Sequence, residues 1–461
     1  MDCRRGVDAG SGGLQGVLVV VCVAQFMVVL DVSVVNVALP SIRDGLGFGE
    51  TTLQWVINAY ALAFAGLLLL GGRLADLFGR RRVFLSGLSV FTAASLAGGI
   101  ATAAGLLVAA RAVQGVGAAA LAPATLTILT TSIGEGPRRT RALAAWTAVG
   151  LAGGTAGNLL GGLLTQFLSW RSTLLINVPA GVLAAVAALR LLPADEDRHG
   201  MPRVDLVGAV LATAGLGVLA FGVTQAAVRG WTASATVWGI AVGPALLVGF
   251  VVVEARWAAV PLVPLRLLGV RSIGVGNVMM LLAGACLNPT WYFLTLAMQN
   301  VLGYTPLQTG LAFLPHTVVA ILVATLVTPW LMRRVDSRVV IAAGCVIAAA
   351  GFWWQSHLGP AGGYVTAILG PAVVFSLGSG LLNTPVTTAV TSGVGEAEAG
   401  AASGLMNTAK QIGGGLGLAI LVSFAVPAGA ASAYGRAFVA MAAAMLVTAA
   451  LAWLLPGRRD A

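Results

Sequence analysis

Charge is scarce in this sequence, and that scarcity excludes most classes of protein at once. Only 9% of the 461 residues are Asp, Glu, Lys or Arg, while 58% are hydrophobic and the mean hydropathy is +0.94. A soluble domain carries about 25% charged residues, so this chain has too few to cover a water-facing surface. Lysine is nearly missing, with Lys410 standing against 25 arginines. A GC-rich genome accounts for that bias better than any chemistry. Cysteine is sparse too: Cys3, Cys22, Cys286 and Cys345 have no spacing that suits a metal, a redox pair or a disulfide framework. No Gly-x-x-x-x-Gly-Lys-[Ser/Thr] loop occurs, which removes ATP as an energy source. No cofactor, metal or enzyme chemistry is expected. The net charge of +10 does not call for nucleic acid, because basic residues of a membrane protein collect in its cytoplasmic loops.

What is there is apolar, in long runs. Runs of about 18 to 25 residues, bounded by charge or turn clusters, predict fourteen spans. They fall near 14–39, 52–72, 83–104, 106–131, 142–168, 172–192, 204–225, 234–254, 272–298, 307–332, 338–358, 362–391, 402–427 and 434–456. The runs are nearly continuous, whereas barrel strands alternate with period two over about ten residues. An all-α membrane protein is therefore expected. The first run ends in Asp31 and Pro40 without a small-residue cleavage site, and reads as a retained helix rather than a signal peptide. With an even span count, twenty arginines fall in one set of loops and four (Arg43, Arg171, Arg229, Arg436) in the other. That bias predicts a cell-membrane protein with both termini in the cytoplasm. Two longer loops, Pro193 to Arg203 and Ala255 to Arg271, bracket the seventh and eighth spans. The expected division is a six-helix bundle over 1–192, two extra helices with flanking loops over 193–271, and a second six-helix bundle over 272–461.

Polar residues within the spans are few enough to take singly. Asp31 is the only acid deep inside an apolar run, roughly 13 Å below the outer end of its helix. A carboxylate there must face a polar cavity, be paired, or take up a proton. Arg111 on the fourth span lies about 8 Å deep from the same side, with Gln114 one turn along the same face. Independent counts thus bring Asp31 and Arg111 to the same outer half, as a proton-coupling pair. A structural ion pair, or an arginine snorkelling to the interface, leaves the same trace in a sequence.

Between the second and third spans runs GRLADLFGRR, with Gly72, Asp76, Gly79, Arg80 and Arg81. A positive-inside loop explains the arginines but not the Gly-x-Leu-Ala-Asp-x-x-Gly spacing. The fifth span carries Gly153, Gly157 and Gly161 at four-residue steps, with Asn158 among them, a pattern for close helix approach. In the second half, Asn288-Pro289, Pro315-His316 and Asn383-Thr384-Pro385 set helix breaks beside polar groups. Gln114, Asn288, His316 and Asn383 are the candidate lining of a cargo cavity. Packing kinks explain any one of these breaks equally well, and His316 reads better as a hydrogen-bonded structural residue than as a second proton site. Lys410 falls a turn or two inside the thirteenth span, where snorkelling accounts for it.

Together these pieces resemble the major facilitator superfamily. Its loop hallmark, Gly-x-Leu-Ala-Asp-Arg-x-Gly-Arg-Lys, is departed from at Leu77, where the family has a basic residue. Arg111-x-x-Gln114-Gly-x-Gly is similar to the family's fourth-helix pattern, and the fifth span resembles the antiporter motif Gly-x-x-x-Gly-Pro-x-x-Gly-Gly with Asn158 at the proline position. WRSTLLINVPAGVL (from Trp170) and SGLMNTAKQIGGGLGLAI (from Ser403) resemble patterns of the fourteen-helix drug:proton antiporters of the EmrB/QacA type. The resemblance implies a major facilitator fold with two extra inserted helices, Asp76 as part of a cytoplasmic gate latch, and Arg111 in proton transfer. The expected function is proton-coupled export of small amphipathic or lipophilic compounds, such as antibiotics or secondary metabolites, by a monomer in the lipid bilayer. Its partners are then a small-molecule substrate and protons. A proton-coupled importer, or a sensor or lipid-handling protein of the same fold, stays open at this point.

Overall fold

The computed structural model describes residues 11–133, 136–193, 195, 205–258, 261–262, 265–359, 363–391, 396–425 and 430–456. A chain in hydrocarbon must satisfy its backbone polar groups within each segment, and almost all of the described chain is helix, with no strand among the described residues. The first six long helices are α1 (Ser11–Leu46), α2 (Trp55–Phe78), α3 (Arg80–Gly99), α4 (Ala104–Ser132), α5 (Pro137–Phe167) and α6 (Ser172–Leu191). A pair follows, α7 (Leu206–Arg229) and α8 (Ser234–Arg256). The last six are α9 (Arg271–Val301), α10 (Pro306–Arg334), α11 (Ser337–Gln355), α12 (Val365–Val390), α13 (Glu396–Ala425) and α14 (Ala430–Leu451). Between α2 and α3 the chain turns on the single residue Gly79, at φ +99°, a conformation that favours glycine.

Twelve of these helices are long and apolar enough to cross a membrane among the described residues, where fourteen spans were expected. α2 and α5 are not among them: both contain residues outside the described set, which leaves Trp55–Leu68 as the apolar stretch described in α2. α5 opens on Pro137 with Arg138, Arg139 and Arg141 in its first turns, and its remainder is rich in glycine, which adds length without apolar surface.

In the first set, α5 lies lengthwise along α1, α4 is clasped between α2 and α3, and α6 closes against α1 and α3. α7 and α8 pair with each other, and α7 rests on α2 and α13. In the last set α9 runs beside α13, and α11 lies against α12 and α14. The two sets touch at the arginine-poor ends of their helices. There Gln299 Nε2 donates to the Val37 carbonyl at 2.9 Å, and the Leu307 N–H donates to Gln166 Oε1 at 3.2 Å. The Asn158 carbonyl packs against Gly310, and Gly162 against Pro306, so the backbones of α5 and α10 come into direct contact.

The sets differ in regularity. Single π-turns interrupt the last set at Ala297–Val301, Val323–Val327 and Val365–Leu369. Of the expected proline breaks, Pro289 is absorbed within continuous α-helix, whereas the helix is interrupted at Phe313 ahead of Pro315 and at Leu381 and Leu382 ahead of Pro385.

Candidate functional site

Five helices of the first set converge on one carboxylate. Asp31 of α1 is 0% exposed and Arg111 of α4 is 1% exposed. Arg111 Nη1 donates to Asp31 Oδ2 at 2.5 Å. The other oxygen, Oδ1, accepts from Gln114 Nε2 at 2.7 Å and from Asn177 Nδ2 of α6 at 2.8 Å. Gln114 also accepts from Arg111 Nη1 at 2.7 Å and donates to Ser95 Oγ of α3 at 2.8 Å. Ser95 in turn donates to the Phe91 carbonyl. The guanidinium has two further partners on α2: its Nε donates to the Val56 carbonyl at 2.9 Å, and its Cζ lies 4.4 Å from the centre of the Tyr60 ring. A buried ion pair is tolerated when its remaining hydrogen-bonding capacity is filled, and here both carboxylate oxygens have donors. The Tyr60 hydroxyl is buried without a partner, so the ring, not the phenol, is what Tyr60 offers.

Glycines hold these helices close enough for such short side chains to meet. A Cβ on Gly157 would stand 2.7 Å from the Leu30 carbonyl, and one on Gly161 2.7 Å from the Val34 carbonyl. α5 is thus seated on the α1 backbone to either side of Asp31, with Gly153 against Phe26 one turn away. Gly115 presses likewise on the Tyr60 carbonyl, holding α4 against α2 at the level of Arg111.

The loop between α2 and α3 is also built. Asp195, beyond the end of α6, accepts from the Arg81 N–H at 3.0 Å and the Arg82 N–H at 2.9 Å, capping the N-terminus of α3. Its carboxylate occupies the place a Gly79 side chain would need. Arg81 Nη2 donates to the Leu189 carbonyl of α6, and Arg80 is half-buried at the start of α3. Asp76 lies in α2, but its side chain is outside the described residues. Gly72 has only Pro123 near it, at 3.7 Å; the steric demand falls on its neighbour Gly71, where a Cβ would collide with the Ala119 carbonyl.

The four candidate cavity residues separate. Gln114 belongs to the Asp31 cluster and lines no open space, being 1% exposed. His316 is buried; its Nδ1 lies 2.8 Å from Ser376 Oγ, and the rings of Trp291, Phe313 and Phe375 surround it. Asn288 and Asn383 are exposed, and Asn288 Nδ2 donates to Gln411 Oε1 at 3.3 Å. Asn158 is buried in the seam between α5 and α10, its Oδ1 without a partner. No group of His, Cys, Asp and Glu suited to a metal occurs among the described residues. Asn177, Ser95, Tyr60 and Asp195 were not singled out by the sequence. Asn177 sits inside the INVPAG string, and its signal was a carboxamide in an otherwise apolar helix.

Comparison with known proteins identifies the family. Residues 21–418 match the profile of the Major Facilitator Superfamily. The chain is 57% identical over 446 residues to the cephamycin export protein CmcT of Amycolatopsis lactamdurans, covering 95% of this chain and 92% of that one. It is 39% identical over 457 residues to the puromycin resistance protein pur8 of Streptomyces alboniger, covering 95% and 90%. Among solved structures, the POT family transporter PepTSo superposes with a TM-score of 0.71 at 14% identity, over 95% of this chain and 97% of that one, a likeness of fold alone. On that profile and these relatives, the chain belongs to the Major Facilitator Superfamily.

Proposed function

We propose that this protein exports antibiotics or related secondary metabolites across the cell membrane, in exchange for protons that pass through Asp31. Its relatives are named for antibiotic export and resistance, and the relative at 57% identity is named for cephamycin export; a β-lactam of that kind is the first cargo to test. The observation that carries proton coupling is the ion pair of Asp31 with Arg111, wholly buried yet placed where five helices meet. Protonation of Asp31 cancels its charge and weakens its hold on Arg111. The guanidinium keeps the Val56 carbonyl, Gln114 Oε1 and the Tyr60 ring, so it stays solvated while α1 is released from α4. Deprotonation restores the clasp. α1 also carries the Val37 contact to α9, which links the state of Asp31 to the seam between the two sets of helices.

The finer architecture belongs to the same reading. Counting α2 and α5 gives fourteen spans, as in the drug:proton antiporters; each runs beside a qualifying helix, α2 along α4 and α5 along α1. An even count puts both termini on the arginine-rich side, the cytoplasm by the positive-inside rule. The seam formed by α1, α5, α9 and α10 then seals the outer face. The protein works as a monomer, with the proton gradient and not ATP as its energy source.

The deciding experiment uses full-length protein in proteoliposomes with an imposed proton gradient, a cephalosporin as cargo and pH recorded on both sides. Wild type is expected to move cargo and protons in opposite directions, and Asp31→Asn to lose the coupled movement. Coupling by Asp31→Asn equal to wild type would remove Asp31 from the mechanism. Accumulation of cargo in the direction of proton flow would make the protein an importer.

A further inference from the structure

Lys410 is the single lysine of the chain, and the structure sets it deeper than snorkelling reaches. α13 begins at Glu396, so fourteen residues, about 21 Å of helix, precede Lys410. A second ruler agrees: the Lys410 backbone packs against Gly284 of α9, thirteen residues or about 20 Å from the start of that helix at Arg271. Both counts put Lys410 near the middle of the bilayer core, which is about 30 Å thick. A lysine there needs a counter-charge, and the sequence around it offers none. Between Arg271 and Glu396 the only acid is Asp336, in the connection between α10 and α11, and α13 has no acid after Glu398. Asp31 is already bound to Arg111. The ion pairs of Arg111 with Asp31 and of Arg43 with Asp44 do not involve Lys410.

Neutral hydrogen-bonding groups gather at the same place. Gln411, the next residue, is bonded to Asn288 of α9. On α12, Thr387 touches Met406 of α13, Oγ1 to Sδ at 3.8 Å. Since α12 and α13 run antiparallel, one turn further along each brings Asn383 level with Lys410. Asn288, Asn383 and Asn407 are all exposed. One cation with carboxamides at its level on α9, α12 and α13, without a carboxylate, suits an anionic group attached to an amide-bearing body.

We propose that Lys410 is the anion-recognition residue of the cargo site: the exported compound carries a carboxylate that pairs with Lys410, while Asn288, Asn383 and Gln411 meet its neighbouring polar groups. This rests on the export reading above and narrows its cargo to carboxylate-bearing amphiphiles.

The test compares a cephalosporin free acid with its methyl ester, in proteoliposomes of full-length wild type, Lys410→Gln and Lys410→Arg. Loss of a charge-assisted contact raises KM for the acid about tenfold or more in Lys410→Gln, leaves the ester unchanged, and is reversed in Lys410→Arg. Quenching of tryptophan fluorescence by each compound in detergent gives the same comparison as binding, and a melting curve shows that each variant is folded. Equal KM for the acid in wild type and Lys410→Gln overturns the inference while export stands. Equal loss of acid and ester in Lys410→Gln also overturns it, because the lysine would then be structural. If wild type moves neither compound against the proton gradient, the export reading falls and this inference with it.

Discussion

The first six helices and the last six share an architecture but divide its chemistry. In α1–α6 the one deep acid is tied to the one deep arginine, every oxygen of the carboxylate has a donor, and glycines draw α5 onto α1 along the same stretch. In α9–α14 there is no deep acid; instead there are π-turns in three helices, a histidine enclosed by aromatic rings, and a lysine among carboxamides. π-turns and proline breaks free backbone groups that a cavity or neighbour must satisfy, whereas a closed ion pair must exclude water to keep its strength. One half is built to hold a charge in a fixed setting, and the other to leave polar groups available.

Breaking the charge pair gives the largest effect. Arg111→Leu strands a buried carboxylate and is expected to destabilise the protein by about 3–5 kcal/mol, seen as loss of the folded fraction on size exclusion or a sharply lowered melting temperature. The double variant Asp31→Asn with Arg111→Gln should recover much of that stability without recovering proton-coupled transport. Recovery of both would show that the pair is structural only.

Next comes the seam beside the pair. Gly157→Val pushes a branched side chain into the Leu30 carbonyl and Ser33, at about 1–3 kcal/mol, and should abolish transport. The matching change at Gly72, where only Pro123 is near, should leave folding intact. A melting curve for each separates the two positions.

Smaller effects follow from single hydrogen bonds. Asn177→Ala removes one of two donors to Asp31 Oδ1, at about 1–3 kcal/mol, with coupled transport slowed but present. Its counterpart in the other half, His316→Gln, should leave proton coupling unchanged, since no acid joins the His316 cluster; a lost pH response there would move a proton site into α9–α14. Smallest is Tyr60→Phe. The hydroxyl has no partner, so stability and transport should stay at wild-type levels, whereas Tyr60→Leu removes the ring from beneath Arg111, at about 2 kcal/mol.

The charge pair was legible in the sequence because depth can be counted along a helix, and two rare charges at one depth leave few arrangements. Its other partners were not, because Asn177 is 146 residues from Asp31 and a carboxamide does not announce which neighbour it meets. Gln114 was assigned to a cavity because its face on α4 was known but not what that face met. Asp195 caps a helix 114 residues away through a loop whose path no local pattern encodes. The glycine step on α5 was readable as close approach, although only the fold showed α1 as its partner. Near Gly72 the hallmark spacing drew the eye one residue past Gly71, where the contact is tightest. Lys410 was read a turn or two inside its span, and its level against α9 shows only in its contact with Gly284.

The seam that joins the two sets of helices includes backbone against backbone, Asn158 to Gly310 and Gly162 to Pro306, with Gln299 donating to the Val37 carbonyl, Gln166 accepting from the Leu307 N–H, and apolar packing of Leu62 on α13. None of these contacts carries a full charge. Opening them therefore breaks no ion pair and should proceed at the same rate in dilute and concentrated salt. The Asp195 clasp on the opposite face, by contrast, holds by a charge near a helix end and loosens as ionic strength rises. Salt is thus a lever that acts on one of these contacts and spares the other.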